Sequence, residues 1–136
     1  MSFPETNAGL FADLTLILQI AAFMVLLFGV MNAKKKKFLK HFKTADIAVI
    51  SGILAILWMG SSLLNNSRAL ISSLTSPITI LTLFHAAIGS LALLGGMAFV
   101  SNRFIKKTQV PMRIIFLFWS LALFLGITLY IMYYVF

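Results

Sequence analysis

The sequence predicts an all-α protein: a four-helix transmembrane bundle, up-down-up-down, with both termini outside. Three observations predict it. Of the 136 residues, 61% are hydrophobic and only 10% are charged, whereas a soluble domain carries about 25% charged residues. The mean hydropathy is +1.04. The apolar residues fall into four long runs, and the basic residues between those runs are distributed asymmetrically. A water-solvated globule, a disordered chain and a nucleic-acid binder are excluded, since none tolerates so much apolar surface. The chain has no cysteine, which also excludes disulfides, thiolate metal sites and cysteine nucleophiles.

Residues 1–136 read as a single transmembrane domain, with spans at about 10–31, 45–65, 78–100 and 112–135. Each is close to or above the ~20 residues that cross a hydrocarbon core at ~1.5 Å rise per residue. Helices are required, because an open sheet would leave backbone groups unpaired in lipid. The first span is expected to be a retained helix. Met1–Glu5 carries no basic residue, and no small-residue cleavage site follows the span, so a cleaved signal peptide is disfavoured.

Ala33–Lys43 reads as a basic loop, with Asp46 placed to favour the positive end of the second helix. The polar segment Asn65–Pro77 follows. Ser76 there reads as an N-cap, with Pro77 at the first helical position. Ser101–Pro111 makes the third connection and again ends in a proline at a helix start. Connections this short make neighbouring spans antiparallel.

Orientation follows from the basic residues. Lys34, Lys35, Lys36, Lys37, Lys40 and Lys43 lie in the first connection. Arg103, Lys106, Lys107 and Arg113 lie in or beside the third, against Arg68 alone in the second. The positive-inside rule puts the first and third connections in the cytoplasm of a cell whose membrane the chain crosses. The six lysines read as a topology signal, or as a site for anionic lipid.

Polar groups at membrane depth are where function is sought. At ~1.5 Å per residue, His85 lies about 10 Å and Gln19 about 13 Å below the outer boundary, with Asp13 shallower. The second and fourth spans finish outside, which brings Trp58, Ser61 and Tyr130 to the same layer. Asp13, Gln19, Trp58, Ser61, His85 and Tyr130 therefore form a candidate outer polar cluster.

His85 shares a helix face with Ile78, Thr82, Gly89, Ala92 and Gly96. Small residues on that face, and the Ala48-x-x-x-Gly52 patch on the second span, favour close helix approach. Two readings of His85 stand side by side. In one it is a neutral, hydrogen-bonded residue paired with Gln19, Ser61 or Tyr130; in the other it binds a ligand, metal or proton. A bis-histidine haem would need His41, which belongs to the opposite interface, about 20 Å away by the same rise. A His85/Met59 haem pair or a copper or zinc site with Asp13 remains. No GxSxG, HExxH, P-loop or GxGxxG occurs. The acids are Glu5, Asp13 and Asp46, which offers no carboxylate pair for acid–base work, so no independent catalysis is expected.

Lys40-His41-Phe42, Leu83-Phe84-His85-Ala86, and Trp119 followed by Gly126-Ile127-Thr128-Leu129-Tyr130 occur in that order. This arrangement resembles a family of small four-helix membrane proteins of the YozB/CtaM type, linked in bacteria to haem–copper oxidase maturation. The resemblance covers about Thr15 to Tyr133. Two of the family's four recurring histidines fall at Leu63–Leu64 and Thr108–Gln109 here. The resemblance implies a divergent member that keeps the scaffold without the full histidine set.

The expected function is accordingly an accessory, structural or assembly subunit of a larger membrane metalloenzyme, of the terminal oxidase or copper-dependent monooxygenase type. Its partners would be membrane lipid and other integral subunits, with no nucleic acid and no cofactor of its own. The alternative is a haem- or copper-binding electron- or metal-transfer protein centred on His85.

Overall fold

The computed structural model describes residues 9–101 and 109–136. Five helices follow one another, and no strand occurs among the described residues: α1 (Leu10–Lys34), α2 (Phe38–Asn65), α3 (Ser67–Ser72), α4 (Pro77–Ser101) and α5 (Gln109–Tyr134). The four long ones are each long and apolar enough to cross a membrane. Their outward faces carry large apolar side chains, among them Met24, Leu57, Leu94 and Phe124, all 60% exposed or more. Those faces suit a hydrocarbon solvent and not water. The chain is a multi-pass membrane protein.

α1 and α2 form one antiparallel hairpin, and α4 and α5 form the other. Around the bundle, α1 packs on α2 and α5, while α4 packs on α5 and α2. Two ends can be told apart: a basic end at the α1–α2 turn, and an opposite end carrying α3.

The first connection is shorter than the expected basic loop. α1 runs on through Lys34 and α2 starts at Phe38, so only Lys35, Lys36 and Lys37 form the turn. Lys36 there has a φ of 59°, and the Lys37 N–H closes the turn on the Asn32 carbonyl at 2.8 Å. Lys40 and Lys43 are exposed on helix α2 itself. Lysine is a good helix former, so a lysine-rich sequence at a membrane face need not unwind. Asp46, expected in the first turn of the second helix, consequently sits in its third turn, beyond the reach of the helix dipole.

The second connection contains the short helix α3, which hydropathy alone does not reveal. α4 begins at Pro77 as expected. α5 begins at Gln109, two residues before Pro111, which the first turn accommodates. Arg103, Lys106, Lys107 and Thr108, and the N-terminal Met1–Glu5, lie outside the described residues.

The tightest packing lies toward the basic end and the middle of the bundle. Ala22 of α1, Ala45, Ala48, Val49 and Ala55 of α2, and Ala92, Leu93 and Phe99 of α4 are buried there. Small side chains bring the backbones together, the usual device where lipid removes the hydrophobic drive for helix association. At the α1–α2 joint, a Cβ on Gly29 would collide with Thr44 Oγ1. That bare backbone admits Thr44, and beside it His41 Nδ1 lies 3.0 Å from the Gly29 carbonyl oxygen.

In the middle, Trp119 of α5 reaches across the bundle. Its indole N–H donates to the Ala92 carbonyl at 3.1 Å, and its ring lies against Gly52 of α2 and Gly96 of α4. Toward the other end the two hairpins diverge.

Candidate functional site

Where the hairpins diverge they flank a half-open cavity of about 930 Å³, with α3 and its flanks across its end. A smaller space of about 80 Å³ lies deeper, toward Trp119 and Gly52. Gln19, Ile56, Met59, His85 and Gly89 line both spaces and mark the floor between them. The large cavity is at the upper end of the range for small-molecule sites and is mostly apolar, with a few convergent polar groups.

Those polar groups come from all four long helices. Gln19 (α1) and His85 (α4) meet beside Gly126 of α5. A Cβ on Gly126 would lie 3.0 Å from Gln19 Oε1 and 3.1 Å from His85 Cε1. The glycine thus leaves the gap that lets these side chains converge. The Gln19 amide donates to Met59 Sδ of α2 at 3.1 Å, a weak acceptor for such a donor. His85 Nδ1 is buried with no hydrogen-bond partner, and the ring interacts with the backbone carbonyl of Ala122.

Nearer the mouth, the Tyr130 hydroxyl donates to Asp13 Oδ1, tying α5 to α1. Asp13 is only 4% exposed. Two further hydroxyl pairs bracket the mouth: Thr82 with Tyr133 at 3.1 Å, and Ser73 with Thr79 at 3.0 Å.

Of the six residues expected to converge, five line the cavity or brace its wall. Gln19, His85, Tyr130 and Trp58 line it, and Asp13 is held beneath Tyr130. Ser61 does not join them. It is exposed, and its hydroxyl donates to the Trp58 carbonyl within its own helix at 2.7 Å. A serine satisfied by its own backbone has no need to turn inward.

The expected hydrogen-bonded pairing of His85 with Gln19, Ser61 or Tyr130 is also not what the helices make. Gln19 turns to Met59 and Tyr130 to Asp13, and neither serves the imidazole. Gly89, expected at a helix contact, has nothing within 4 Å of where its Cβ would stand. It borders empty space.

The residue that sequence reasoning missed is His41. Expected at the interface, it is 6% exposed. Its ring is edge-on to Phe99 with centroids 6.2 Å apart, and its Nε2 has no hydrogen-bond partner. Its Nδ1 meets the Gly29 backbone carbonyl, a contact that carries no side-chain signal in the sequence. His41 and His85 lie on different ends of the bundle and cannot share one haem. Among the described residues no three His, Cys, Asp or Glu side chains are grouped to hold a metal ion.

No protein-family model, curated protein or solved structure matches the chain.

Proposed function

We propose that this protein is a non-catalytic accessory or assembly component of a larger membrane metalloenzyme, of the terminal oxidase or copper-dependent monooxygenase type. It sits in the cell membrane with its basic turn in the cytoplasm and its termini outside, among other integral subunits and lipid. One observation carries the reading. The polar chemistry inside the bundle can hold a group but not transform one. Among the described residues the cavity lining offers one imidazole (His85), the amides of Gln19 and Asn66, the Trp58 indole and several hydroxyls, with no second carboxylate beside Asp13 and no metal-ligating cluster. General acid–base work needs paired groups within reach of each other, and these are missing from the cavity. The apolar outer faces offer packing surface to neighbouring membrane helices. The resemblance to the YozB/CtaM type points the same way, toward oxidase maturation.

The test is native purification followed by identification of co-purifying subunits. A metalloenzyme core subunit is expected with it, and deletion of the chain should lower assembly of that enzyme. Purification alone, with every haem and copper enzyme still assembled in the deletion strain, would overturn the proposal.

A second reading, a haem or copper site centred on His85, is favoured by the presence of His85 and Met59 together on the lining of one cavity. His85 and Met59 would then be the ligands, supplying an imidazole and a thioether. An absorption spectrum of the purified chain separates the readings: a Soret band lost in His85→Ala supports this one.

The orientation has its own test. Lys36→Cys in the basic turn should react only with a membrane-permeant thiol reagent. Asn66→Cys at the other end, where the residue is exposed, should react with an impermeant one. The reverse pattern would invert the topology.

A further inference from the structure

The floor of the large cavity has hydrogen-bonding capacity that the protein itself leaves unmet. A neutral imidazole has one N–H and one lone pair. A backbone carbonyl such as that of Ala122 can engage only the N–H. Nδ1 is buried out of reach of the cavity, so a molecule there meets the ring at Nε2, whose lone pair needs a donor when Nδ1 carries the N–H. Beside it, the Gln19 amide spends an N–H on the Met59 thioether, a partner that any oxygen acceptor would outcompete. Polar groups at membrane depth left this way mark a binding site. One chemical group answers both demands, a hydroxyl, which donates to the imidazole and accepts from the amide.

The shape narrows the ligand further. From Ser76 at the mouth to Ser90 at the floor the cavity runs about 20 Å along α4. Its volume of about 930 Å³ over that length gives a mean cross-section of about 45 Å². That is wider than one extended acyl chain and has room for a flat substituted ring. Above the floor the lining is apolar and aromatic, with Tyr130 and Trp58, which favours a ring and an unsaturated tail over water. Gly89 keeps the floor broad, since no atom lies within 4 Å of its missing Cβ.

We propose that this cavity binds an apolar molecule headed by a hydroxylated aromatic ring, of the quinol class, with a ring hydroxyl donating to His85 and accepting from Gln19. The proposal goes beyond the accessory role and does not depend on which enzyme the chain assembles with.

The experiment uses the purified full chain in detergent and decyl-benzoquinol as the probe. It reads quenching of the tryptophan fluorescence and the shift in melting temperature, since a ligand that binds only the folded state raises it. Saturable binding by the wild type is expected, weakened about tenfold in His85→Leu and in Gln19→Leu, the worth of one hydrogen bond each. The dimethyl ether of the quinol should lose binding to at least the same extent. Gly89→Leu should abolish binding while the unliganded protein melts as wild type. Several outcomes would overturn the proposal: no saturable binding, equal binding of the dimethyl ether, equal binding of decanol, or unchanged affinity in both leucine variants at the floor. A Soret band or stoichiometric metal in the purified chain would also overturn it, by assigning His85 to a haem or metal. Failure to find a partner enzyme would leave the binding result standing, so the two proposals fail separately.

Discussion

Trp119→Ala is expected to destabilise the bundle by about 2–4 kcal/mol, somewhat below the range for deleting a fully buried aromatic ring, because Trp119 is half-buried. The indole spans the space between opposite helices. From α5 it reaches Gly52 of α2 and Gly96 of α4, and it donates to the Ala92 carbonyl. Removing it takes the lid off the space beneath the cavity floor and leaves a void lined by Ala22, Ala55 and Leu93. In a membrane the loss is one of packing and not of water exclusion, since lipid is as apolar as the ring. Those lost contacts are the larger part of a cavity's cost in any case. Trp119→Phe should retain most of the stability, because the N–H···O bond is worth only about 1 kcal/mol. Unfolding in detergent, followed through Trp58 fluorescence, provides the measurement. A loss under 1 kcal/mol for Trp119→Ala would mean that the hairpins hold together without the ring.

Some of this arrangement was legible in the sequence and some was not, and the division has physical causes. Helix rise is fixed, so counting residues placed Gln19 and His85 at one depth, and they do meet beside Gly126. Rotation about the helix axis is not fixed by counting. Ser61, at the same depth, turns outward, while Tyr130 turns to Asp13 and not to His85. The lysines of the first connection cluster at one end of the bundle, yet they did not mark where the helices stop. α2 carries Lys40 and Lys43 in its first turns, because a long side chain can snorkel to the interface from a helix as easily as from a loop. His41 looked interfacial among those lysines. It is buried against Phe99 of α4 and the Gly29 carbonyl of α1, and such contacts with other helices leave no local pattern.

The stripe of small residues on α4 is the case where sequence reasoning is most exposed, because a missing side chain fits a close neighbour and an empty space equally well. Gly96 and Gly89 separate the two. A Cβ on Gly96 would lie 3.0 Å from Val49 Cγ2 and 3.6 Å from Trp119 Nε1, where both the valine and the indole are already wedged between helices. A Cβ on Gly89, two turns earlier on the same face, meets nothing within 4 Å. Gly96→Leu is therefore expected to force α2 and α4 apart and cost about 1–3 kcal/mol, as overpacking of a close-packed site does. Gly89→Leu should leave stability within about 0.5 kcal/mol of wild type. Any gain in helix propensity from replacing glycine works in its favour. Leu94→Phe, on a face that is 62% exposed, supplies the lipid-facing control and should be silent. Thermal unfolding of the three variants in detergent decides the matter. If Gly89→Leu proves as damaging as Gly96→Leu, the hairpins close on each other in the membrane and the cavity is not there. If only Gly96→Leu is damaged, the stripe has two halves with different work: one where the hairpins grip, and one that keeps them apart.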